Sequence, residues 1–485
     1  MKLSALLKDV HYLSVTGQKD GEVTGVACDS RQVRSGSFFV AIPGTEKDGW
    51  LFLKDALERG AIAVVSEHDE LINRDVCHIC VQDARQALSD LSCAFYNRPS
   101  DRLQAVGITG TNGKTTTAYM SSNILRLAGR MPGLLTTVEY RIGERTIPAG
   151  RTTPESPALQ SMFSQMITAG CKSVVMEVSS HALSQKRTFG IDYDVAVFTN
   201  LTRDHLDYHK TFEQYFEAKL LLFKGLGHGL KNAKAVINVD DSWGRKISGM
   251  NDIKAGIITY GMNSDAVVRA ENIELTGSGS VFRVITPWGE RQIQLKLLGR
   301  FNISNALAAI ASCGSLGVGM DTIVEALAGV SNVSGRLEQI SSNRGFQVFV
   351  DYAHTDDALE NVLKTLREIT KNRLIVVFGC GGNRDKTKRS EMGSVAARFA
   401  DYSVLTSDNP RKENPSEIIT QIREGFDGVQ NYEVIEDRAE AIKKAITMAG
   451  SGDVVLVAGK GHENFQEFSN TLISFDDRQV VKRYL

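Results

Sequence analysis

The stretch ITGTNGKTTT at residues 108–117 combines residue types that bind phosphate groups. Glycines let backbone N–H groups approach phosphate oxygens, a lysine supplies a mobile positive charge, and the hydroxyl after that lysine can ligate magnesium. Ile108 stands where the general GxxxxGK[ST] pattern has its first glycine, so this loop belongs to a narrower subtype. We predict ATP binding, although the loop alone would equally suit a GTPase or a motor ATPase. The predicted phosphate-binding residues are Gly110, Thr111, Asn112, Gly113, Lys114, Thr115 and Thr116.

Four other polar residues have sequence surroundings that indicate either a functional or a structural role. Glu177 lies near the end of the apolar run SVVMEVSS, where a carboxylate is costly unless it is paired or bound to a metal. Lys219 in YFEAKLLLF is, by itself, typical of an amphipathic helix whose lysine reaches solvent. His205 and His209 are, by themselves, typical of polar loop or cap residues. Of these four residues, Glu177 is therefore the one that the sequence alone makes a functional candidate.

The elements that position the phosphate loop belong to the second of three predicted domains. A chain of 485 residues is too long for one core, and roughly 150 residues per domain suggests three. LQAVGIT predicts a strand before the loop, and Thr115 to Leu127 predicts a helix after it. The later apolar runs SVVMEVSS, DVAVFTN and AKAVINV are separated by helix-length segments, as in parallel βαβ units. The predicted fold class is α/β, with domains at residues 1–100, 101–332 and 333–485.

Strands and helices alternate regularly after residue 333, which predicts a Rossmann-like doubly wound domain. The predicted strands are FQVFVDY, LIVVFG, YSVLTS and VVLVAG, and helices are expected at about 358–369, 390–400, 415–426 and 438–449. In such sheets ligands bind beyond the carboxyl ends of the strands. We therefore expect ligand-binding loops at Asp351, GCGGNRDK, SDNPRK and GKGHE.

Composition and charge exclude several classes of protein. Hydrophobic residues make up 42% and charged residues 23%, and a net charge of −1 gives no long-range attraction to nucleic acid. The amino terminus lacks the features of a signal peptide, and no run approaches the roughly 18 to 20 apolar residues of a membrane span. Seven scattered cysteines, including the strand-like pair Cys77 and Cys80, fit a reducing compartment and structural roles. We expect a cytoplasmic protein that binds neither nucleic acid nor membrane.

Seven motifs occur in the order found in the Mur ligases, and this resemblance covers nearly the whole chain. They are TGTNGKTT, MEVSSHAL, FTNLTRDHLDYH, GRFNISNALAA, DYAHT, SDNPR and AGKGHE. The resemblance implies an enzyme that transfers the γ-phosphoryl group of ATP to a carboxylate, which gives an acyl phosphate that an amine attacks. It implies an amide, ADP and phosphate as products. The central fold would be the family's ATP-binding parallel sheet.

The resemblance also implies a set of catalytic and metal-binding residues for two magnesium ions. Thr115 and Glu177 are the expected ligands of the first ion, and His205 and Lys219 those of the second. In this family the lysine reacts with carbon dioxide, so that a carbamate oxygen replaces the ammonium group. Only the neutral amine reacts in this way, and burial favours that form. The implied catalytic residues are therefore Lys114, Lys219, His205 and Glu177.

Three more residues are implied to hold the nucleotide. Asn302 is expected near the adenine and ribose, and Arg336 and Asp351 near the phosphates and ribose once the carboxyl-terminal domain has closed. The family pattern usually has proline after DYAHT, whereas this chain has Asp356. We therefore expect a locally different loop at that point.

The amino-terminal segment CDSRQVRSGSFFVAIPG resembles the family's uridine-diphosphate-binding segment, so the implied substrate is a UDP-N-acetylmuramoyl-dipeptide. The RTTP stretch resembles the wall that holds the muramoyl-dipeptide, but Arg151 stands where some relatives have asparagine. The substrate contacts implied by the resemblance are Ser30, Thr45, Glu46, Lys47, Thr152, Thr153, Ser179, Gln185 and Arg187.

The stretch SDNPRKENP indicates which amine is added. In this family the DNPR form accompanies meso-diaminopimelate, whereas lysine-adding members usually lack the arginine. The guanidinium of Arg411 can form two parallel hydrogen bonds with the distal carboxylate that diaminopimelate has and lysine lacks. Glu463 is expected to pair with the distal ammonium. The implied pocket consists of Arg384, Asp408, Asn409, Pro410, Arg411, Gly459 and Glu463.

These expectations describe a monomeric ligase that adds meso-diaminopimelate to the D-glutamate γ-carboxyl of UDP-N-acetylmuramoyl-L-Ala-D-Glu during peptidoglycan precursor synthesis. One alternative is a lysine-adding member of the family, which Arg411 disfavours. Another is a folylpolyglutamate synthase-like ligase, which the uridine-binding type of amino-terminal domain disfavours. The third is a phosphate-loop regulatory switch. A switch should release phosphate without an added amine, whereas the ligases should not.

Overall fold

The computed structural model describes residues 1–44, 47–70, 76–263, 265–469 and 471–485. The chain forms three successive α/β units, each built around its own main sheet. Connections between parallel strands cross over the sheet, so helices cover its faces. The loops that follow these strands gather at the carboxyl edge of each sheet, where ligands bind in such folds.

The first unit is a five-stranded sheet with short helices. Its strands are β1 (Ser14–Thr16), β2 (Gly25–Ala27), β3 (Ser37–Val40), β4 (Ala61–Ser66) and β5 (Cys77–Cys80). Its helices are α1 (Leu3–Leu6), α2 (Leu53–Glu58) and α3 (Ala84–Phe95). The order is β1-β5-β4-β3-β2; β1 pairs antiparallel to β5, and the other described pairs are parallel. Cys77 and Cys80 are buried in β5, where they pack as small apolar side chains.

The second unit is an eleven-stranded sheet. Its strands are β6 (Gln104–Thr109), β7 (Pro132–Leu135), β8 (Glu139–Ile142), β9 (Arg145–Pro148), β10 (Ser173–Glu177), β11 (Val195–Phe198), β12 (Lys234–Asn238), β13 (Gly256–Gly261), β14 (Val268–Thr276), β15 (Gly279–Thr286) and β16 (Gly289–Leu295). Its helices are α4 (Lys114–Leu127), α5 (Ser156–Thr168), α6 (Ser180–Ser184), α7 (Leu206–His209), α8 (Phe212–Lys224), α9 (Ser242–Ser248), α10 (Arg300–Ser315) and α11 (Met320–Ala328). The order is β16-β15-β14-β13-β12-β11-β6-β10-β7-β8-β9.

Strand β6 lies inside the parallel part of this sheet, between β10 and β11. The phosphate loop follows β6, Glu177 is the last residue of β10, and residues 199–205 follow β11. Parallel strands end at the same edge of a sheet, so three segments that are distant in sequence meet there. The βαβ pattern predicted these strands, and their order explains why the loop, Glu177 and His205 lie close together.

Antiparallel strands extend both ends of the central sheet, which is therefore mixed rather than purely parallel. The hairpin of β8 and β9 continues beyond β7, and β14 to β16 form a ribbon at the opposite end. Their half-exposed residues alternate between polar and apolar types, so they lack the continuous apolar runs that identify buried parallel strands. Val268, Phe282 and Ile293 of the ribbon complete one core with α4, α10 and α11.

The third unit is a six-stranded doubly wound sheet followed by a hairpin. Its strands are β17 (Glu338–Ile340), β18 (Gln347–Asp351), β19 (Leu374–Phe378), β20 (Tyr402–Leu405), β21 (Tyr432–Val434) and β22 (Val454–Ala458), and the hairpin is β23 (Phe465–Phe468) with β24 (Thr471–Ser474). Its helices are α12 (Asp356–Ile369), α13 (Lys388–Phe399), α14 (Pro415–Arg423), α15 (Arg438–Met448) and α16 (Asp477–Tyr484). The order is β17-β18-β22-β19-β20-β21. This confirms the predicted Rossmann-like architecture, and the four expected loops lie at its carboxyl edge.

A fully buried ion pair joins α15 to α16. The Arg438 guanidinium donates to both carboxylate oxygens of Asp477, at 2.8 and 2.7 Å, and both side chains have no exposed surface. Removal of one partner leaves the other charge buried, which typically costs about 3 to 5 kcal/mol. We therefore expect Arg438→Ala to lower the free energy of unfolding of this domain by that amount, measured by calorimetry. Arg398 pairs with Glu360 at the surface, so Arg398→Ala should cost less than about 1 kcal/mol; equal losses for the two variants would contradict this account.

In the part of the chain that the structure describes, no helix has the length and apolar character needed to cross a membrane.

Candidate active site

A cavity of about 240 Å³ lies between the central and carboxyl-terminal units. The phosphate loop and Glu177 form its central-domain side, and Arg336, Asp351 and His354 contribute from the carboxyl-terminal side. All the predicted loop residues from Gly110 to Thr116 line it. The two units therefore share one site.

The backbone of the phosphate loop depends on its glycines. Gly110 and Gly113 have φ angles of +146° and +85°, in the region that side chains rarely adopt. A Cβ on Gly110 would lie 1.8 Å from Thr199 Oγ1, and one on Gly113 would lie 2.3 Å from Asn305 Oδ1. Lys114 Nζ folds over the loop and donates to the carbonyl oxygens of Gly110 and Thr111, at 2.9 and 2.8 Å. The loop is thus a tight cradle with a cation at its centre.

Glu177 is almost fully buried and is held by uncharged donors. Thr115 Oγ1 donates to its Oε1 at 2.8 Å, and the Thr137 N–H and hydroxyl donate to Oε1 and Oε2 at 3.0 and 3.2 Å. Arg336 Nη2 donates to Thr115 Oγ1 at 3.0 Å. A buried carboxylate beside a threonine hydroxyl is a suitable donor pair for a hard cation.

Lys219 is also buried, with 1% of its surface exposed. Its Nζ donates to Gly110 O at 2.8 Å and lies 4.4 Å from the centre of the Tyr215 ring. Burial, together with the nearby positive charge of Lys114, lowers the pKa of Lys219 well below its ordinary value. The sequence-only interpretation of a solvent-reaching lysine is therefore wrong, and the neutral amine that carbamate formation requires is favoured.

His205 lies at the same edge, before helix α7, with a left-handed φ of +55°. Burial lowers the pKa of His205 to about 3, so its imidazole is neutral near pH 7 and keeps a lone pair for a metal. His209 instead pairs with Ser180 Oγ at 2.9 Å. Among the described residues, no group of three or more His, Cys, Asp or Glu side chains could enclose a metal alone. Magnesium commonly uses one or two carboxylates together with phosphates and water, so the donors present fit that ion.

A hydrogen bond joins the two units beside the cavity. Asn112 Nδ2 in the phosphate loop donates to Asp357 Oδ2 at 2.9 Å.

The expected local difference at Asp356 is small, because this residue occupies the first position of α12 and Thr355 Oγ1 caps the helix by accepting from Ala358 N. Proline is equally suited to that first position, so the substitution preserves the start of the helix.

Of the three expected nucleotide residues, two line the cavity and one does not. Arg336 and Asp351 lie in its wall, and Asp351 accepts from the backbone N–H groups of Leu337 and Ala353. Asn302 is buried behind the wall, where its amide donates to Leu298 O and accepts from Asn305. Asn305, one turn further along α10, lines the cavity instead.

A second, wider cavity of about 1050 Å³ lies between the amino-terminal and central units. Ser30, Lys47, Gln185 and Arg187 line it, whereas Thr152 and Ser179 line the first cavity. Thr153 lies between the two cavities, because its Oγ1 donates to Glu177 O and its carbonyl accepts from Arg187 Nη1. Arg151, the departure from the family pattern, lines the second cavity. Thr45 and Glu46 lie outside the described residues.

The SDNPR and GKGHE loops meet at the carboxyl edge of the third sheet. Asn409 Nδ2 donates to Glu463 Oε2 at 2.8 Å, and a Cβ on Gly459 would lie 2.6 Å from Asp408 Oδ2. Pro410 O faces Gly382 of the neighbouring loop. Arg384 belongs to the same edge but is exposed.

Arg411 has a left-handed φ of +52°, which is unusual for a residue with a side chain. Strand β23 holds it there, because Arg411 N donates to Glu467 O at 2.9 Å and Arg411 O accepts from Ser469 N. Its guanidinium donates from Nε to Glu467 Oε2 at 3.0 Å and from Nη1 to Gly382 O at 2.7 Å. Among the described residues these are the hydrogen bonds of the guanidinium, which leaves three of its five protons for a ligand.

Three family models match successive parts of the chain. Residues 22–96 match the Mur ligase family catalytic domain, residues 108–313 the Mur ligase middle domain, and residues 335–461 the Mur ligase glutamate ligase domain. A protein of Geobacillus thermodenitrificans (strain NG80-2), named UDP-N-acetylmuramoyl-L-alanyl-D-glutamate--2,6-diaminopimelate ligase, is 47% identical over 99% of both chains. This chain belongs to the Mur ligase family.

Two further relatives carry the same name. One, from Bacillus velezensis (strain DSM 23117 / BGSC 10A6 / LMG 26770 / FZB42), is 47% identical over 100% of this chain and 98% of its own. The other is a solved structure with a TM-score of 0.70 and 32% identity, covering 100% of this chain and 98% of that one. The likeness to this Mur ligase therefore extends over all three units.

Sequence reasoning missed several residues that shape the site of this Mur ligase. Thr137 orients Glu177, Asn305 lines the first cavity, and Glu467 pairs with Arg411. Lys460 lies between Asn409 and Glu463 and has no exposed surface. Asn305 and Lys460 lie in the GRFNISNALAA and AGKGHE motifs, but their contacts, like those of Thr137 and Glu467, involve partners that they meet only in the folded chain.

Proposed function

We propose that this ATP-dependent Mur ligase adds meso-diaminopimelate to the γ-carboxyl of D-glutamate in UDP-N-acetylmuramoyl-L-Ala-D-Glu, in peptidoglycan precursor synthesis. The observation that carries the proposal is full-length identity of 47% to a ligase named for these substrates. The DNPR loop supports it, because Arg411 retains donors for a distal carboxylate.

The first cavity fits the phosphoryl-transfer half of the reaction. Lys114 and the backbone N–H groups of the loop would hold the phosphates of ATP, and Arg336 would approach them from the other unit. A substrate carboxylate oxygen attacks the γ-phosphorus and the bond to the ADP oxygen breaks, giving an acyl phosphate and ADP. The amine then attacks the acyl carbon, loses a proton and expels phosphate. The products are therefore an amide, ADP and phosphate.

Two magnesium ions would be held by Thr115 with Glu177 and by His205 with carbamylated Lys219. Bound there, they would offset the negative charge that accumulates on the transferred phosphoryl group. Thr137 supports this assignment, because it fixes the orientation of Glu177. The burial of Lys219 beside the carbonyl of Gly110 supports the carbamate.

The remaining residues divide between the two ends of the product. Ser30, Lys47, Gln185 and Arg187 would bind the uridine-diphosphate and muramoyl part in the second cavity. Thr152, Thr153 and Ser179 would guide the dipeptide from there to the first cavity. Asp408, Asn409, Pro410, Arg411, Gly459, Glu463 and Arg384 would bind diaminopimelate.

We also propose domain limits at residues 1–100, 101–332 and 333–485, and action as a monomer. The first cavity supports the monomer, since one chain supplies its nucleotide-facing wall from two units. The substrates, ATP and a UDP-linked precursor, favour the cytoplasm as the place of reaction.

Phosphate release tests this function when each substrate is omitted in turn. We expect release only with ATP, magnesium, the UDP-linked dipeptide and meso-diaminopimelate all present. Preference for lysine would retain the family but contradict the argument from Arg411. Release without an amine would contradict the ligase reaction itself.

A further inference from the structure

Lys460 is a fully buried cation beneath the loops of the amine pocket. Its Nζ donates to Asn409 Oδ1 at 3.0 Å and to Glu463 Oε2 at 2.9 Å, and the centre of the Phe465 ring lies 5.6 Å away. No part of Lys460 is exposed. A buried lysine is costly unless it is paired, and a buried lysine cannot contribute to solubility as a surface lysine does. The contacts of Lys460 therefore indicate its role.

The contacts of Lys460 fix the orientation of two side chains. Asn409 Oδ1 accepts from Lys460 and from Glu467 N, and its Nδ2 donates to Glu463 Oε2 at 2.8 Å. The amide therefore has only one orientation that satisfies its neighbours. Glu463 Oε2 accepts from both Lys460 and Asn409. In the described part of the chain, the hydrogen bonds of this carboxylate all use Oε2, which leaves Oε1 for a ligand.

We propose that Lys460 is a positioning residue that sets the specificity of the amine pocket. This inference rests on the proposed function. Lys460 holds Glu463 Oε2, so that Oε1 is presented to the distal ammonium of the amine substrate, while Arg411 engages the distal carboxylate. Lys460 does not touch the substrate; it acts through Glu463 and Asn409.

The test compares meso-diaminopimelate with 2-aminopimelate, which keeps the reacting amine and the distal carboxylate but lacks the distal ammonium. The measured quantity is the ratio of kcat/KM for the two amines. Wild-type protein should prefer diaminopimelate, because 2-aminopimelate leaves Glu463 unpaired. Lys460→Met should reduce this ratio by about tenfold or more, as Glu463→Gln should, because the carboxylate is no longer held in place. The KM for ATP should stay within about twofold of the wild-type value, since neither Lys460 nor Glu463 lines the first cavity.

Lys460→Gln and Lys443→Met provide the controls. Glutamine keeps a hydrogen-bond donor without the charge, so Lys460→Gln should retain part of the preference; it also supplies the decisive comparison if Lys460→Met does not fold. Lys443 pairs with Glu440 at the surface of the same domain, so Lys443→Met should leave the ratio unchanged.

Three outcomes would count against the proposals, and they are distinguishable. A folded Lys460 variant with the wild-type ratio would overturn the role of Lys460. A wild-type protein that does not distinguish the two amines would overturn the contact between Glu463 and the distal ammonium, and with it this inference. A wild-type protein that uses neither amine would instead overturn the proposed function.

Discussion

Lys219→Ala should reduce amide formation by about 10³-fold, because the carbamate that we propose for Lys219 would be a metal ligand, and such a ligand contributes several kcal/mol to the stabilisation of the transferred phosphoryl charge. The side chain is buried next to Gly110 O, so its removal takes the nitrogen away from the edge of the phosphate loop. Steady-state phosphate release and product formation measure the loss. Binding of the UDP-linked substrate, which we propose to lie in the second cavity, should remain close to that of the wild-type protein.

Chemical rescue distinguishes whether Lys219 acts as a carbamate or as an ammonium group. Formate or acetate could supply the missing oxygen ligand in the space that Lys219→Ala opens, so either should restore part of the activity. Lys224 lies in the same helix but is exposed and faces Asp252, which makes Lys224→Ala the matched control. Rescue by methylamine but not by the acids would show that Lys219 acts as a cation.

Arg411→Ala should lower kcat/KM for meso-diaminopimelate. The loss of transition-state stabilisation should be about 2 to 5 kcal/mol, which is the usual cost of truncating one member of a hydrogen-bonded charge pair. The residue is held by Glu467 and by the backbone of strand β23, so little reorganisation precedes substrate binding. The KM for ATP should change little, since Arg411 lies outside the wall of the first cavity. Steady-state kinetics with each substrate varied in turn give kcat/KM for diaminopimelate and the KM for ATP.

Arg411→Lys provides a sharper version of the same test. Lysine keeps the charge but cannot form two parallel hydrogen bonds with a carboxylate, so it should restore only a small part of the lost activity. Arg423 on the surface helix α14 is a suitable control position in the same domain. Equal losses for ATP and diaminopimelate in Arg411→Ala would remove Arg411 from the amine pocket.

The fold was largely predictable because its signals are local. Continuous apolar runs identified β6, β10, β11 and β12, and regular alternation identified the third unit. The hairpins at the ends of the central sheet were missed, since their strands are half exposed and resemble turns and loops in sequence. The short strands β17 and β21 were missed because three residues carry too little periodicity.

The site was predictable only where residue type and position coincide in one segment. The phosphate loop and Glu177 meet this condition. Thr137 meets Glu177 across 40 residues, and Lys460 meets Asn409 across 51, so no local pattern could reveal either contact. Asn302 shows the limit of a motif in another way, because the orientation of helix α10, which the motif does not determine, places Asn305 in the cavity wall and Asn302 behind it.

The most direct test of the central claim is a competition reaction analysed by mass spectrometry. The purified protein is given ATP, magnesium and UDP-N-acetylmuramoyl-L-Ala-D-Glu with equal concentrations of meso-diaminopimelate and lysine. We expect the nucleotide product to gain the mass of diaminopimelate less one water. A product that carries lysine, or no peptide product despite ATP hydrolysis, would contradict the assignment.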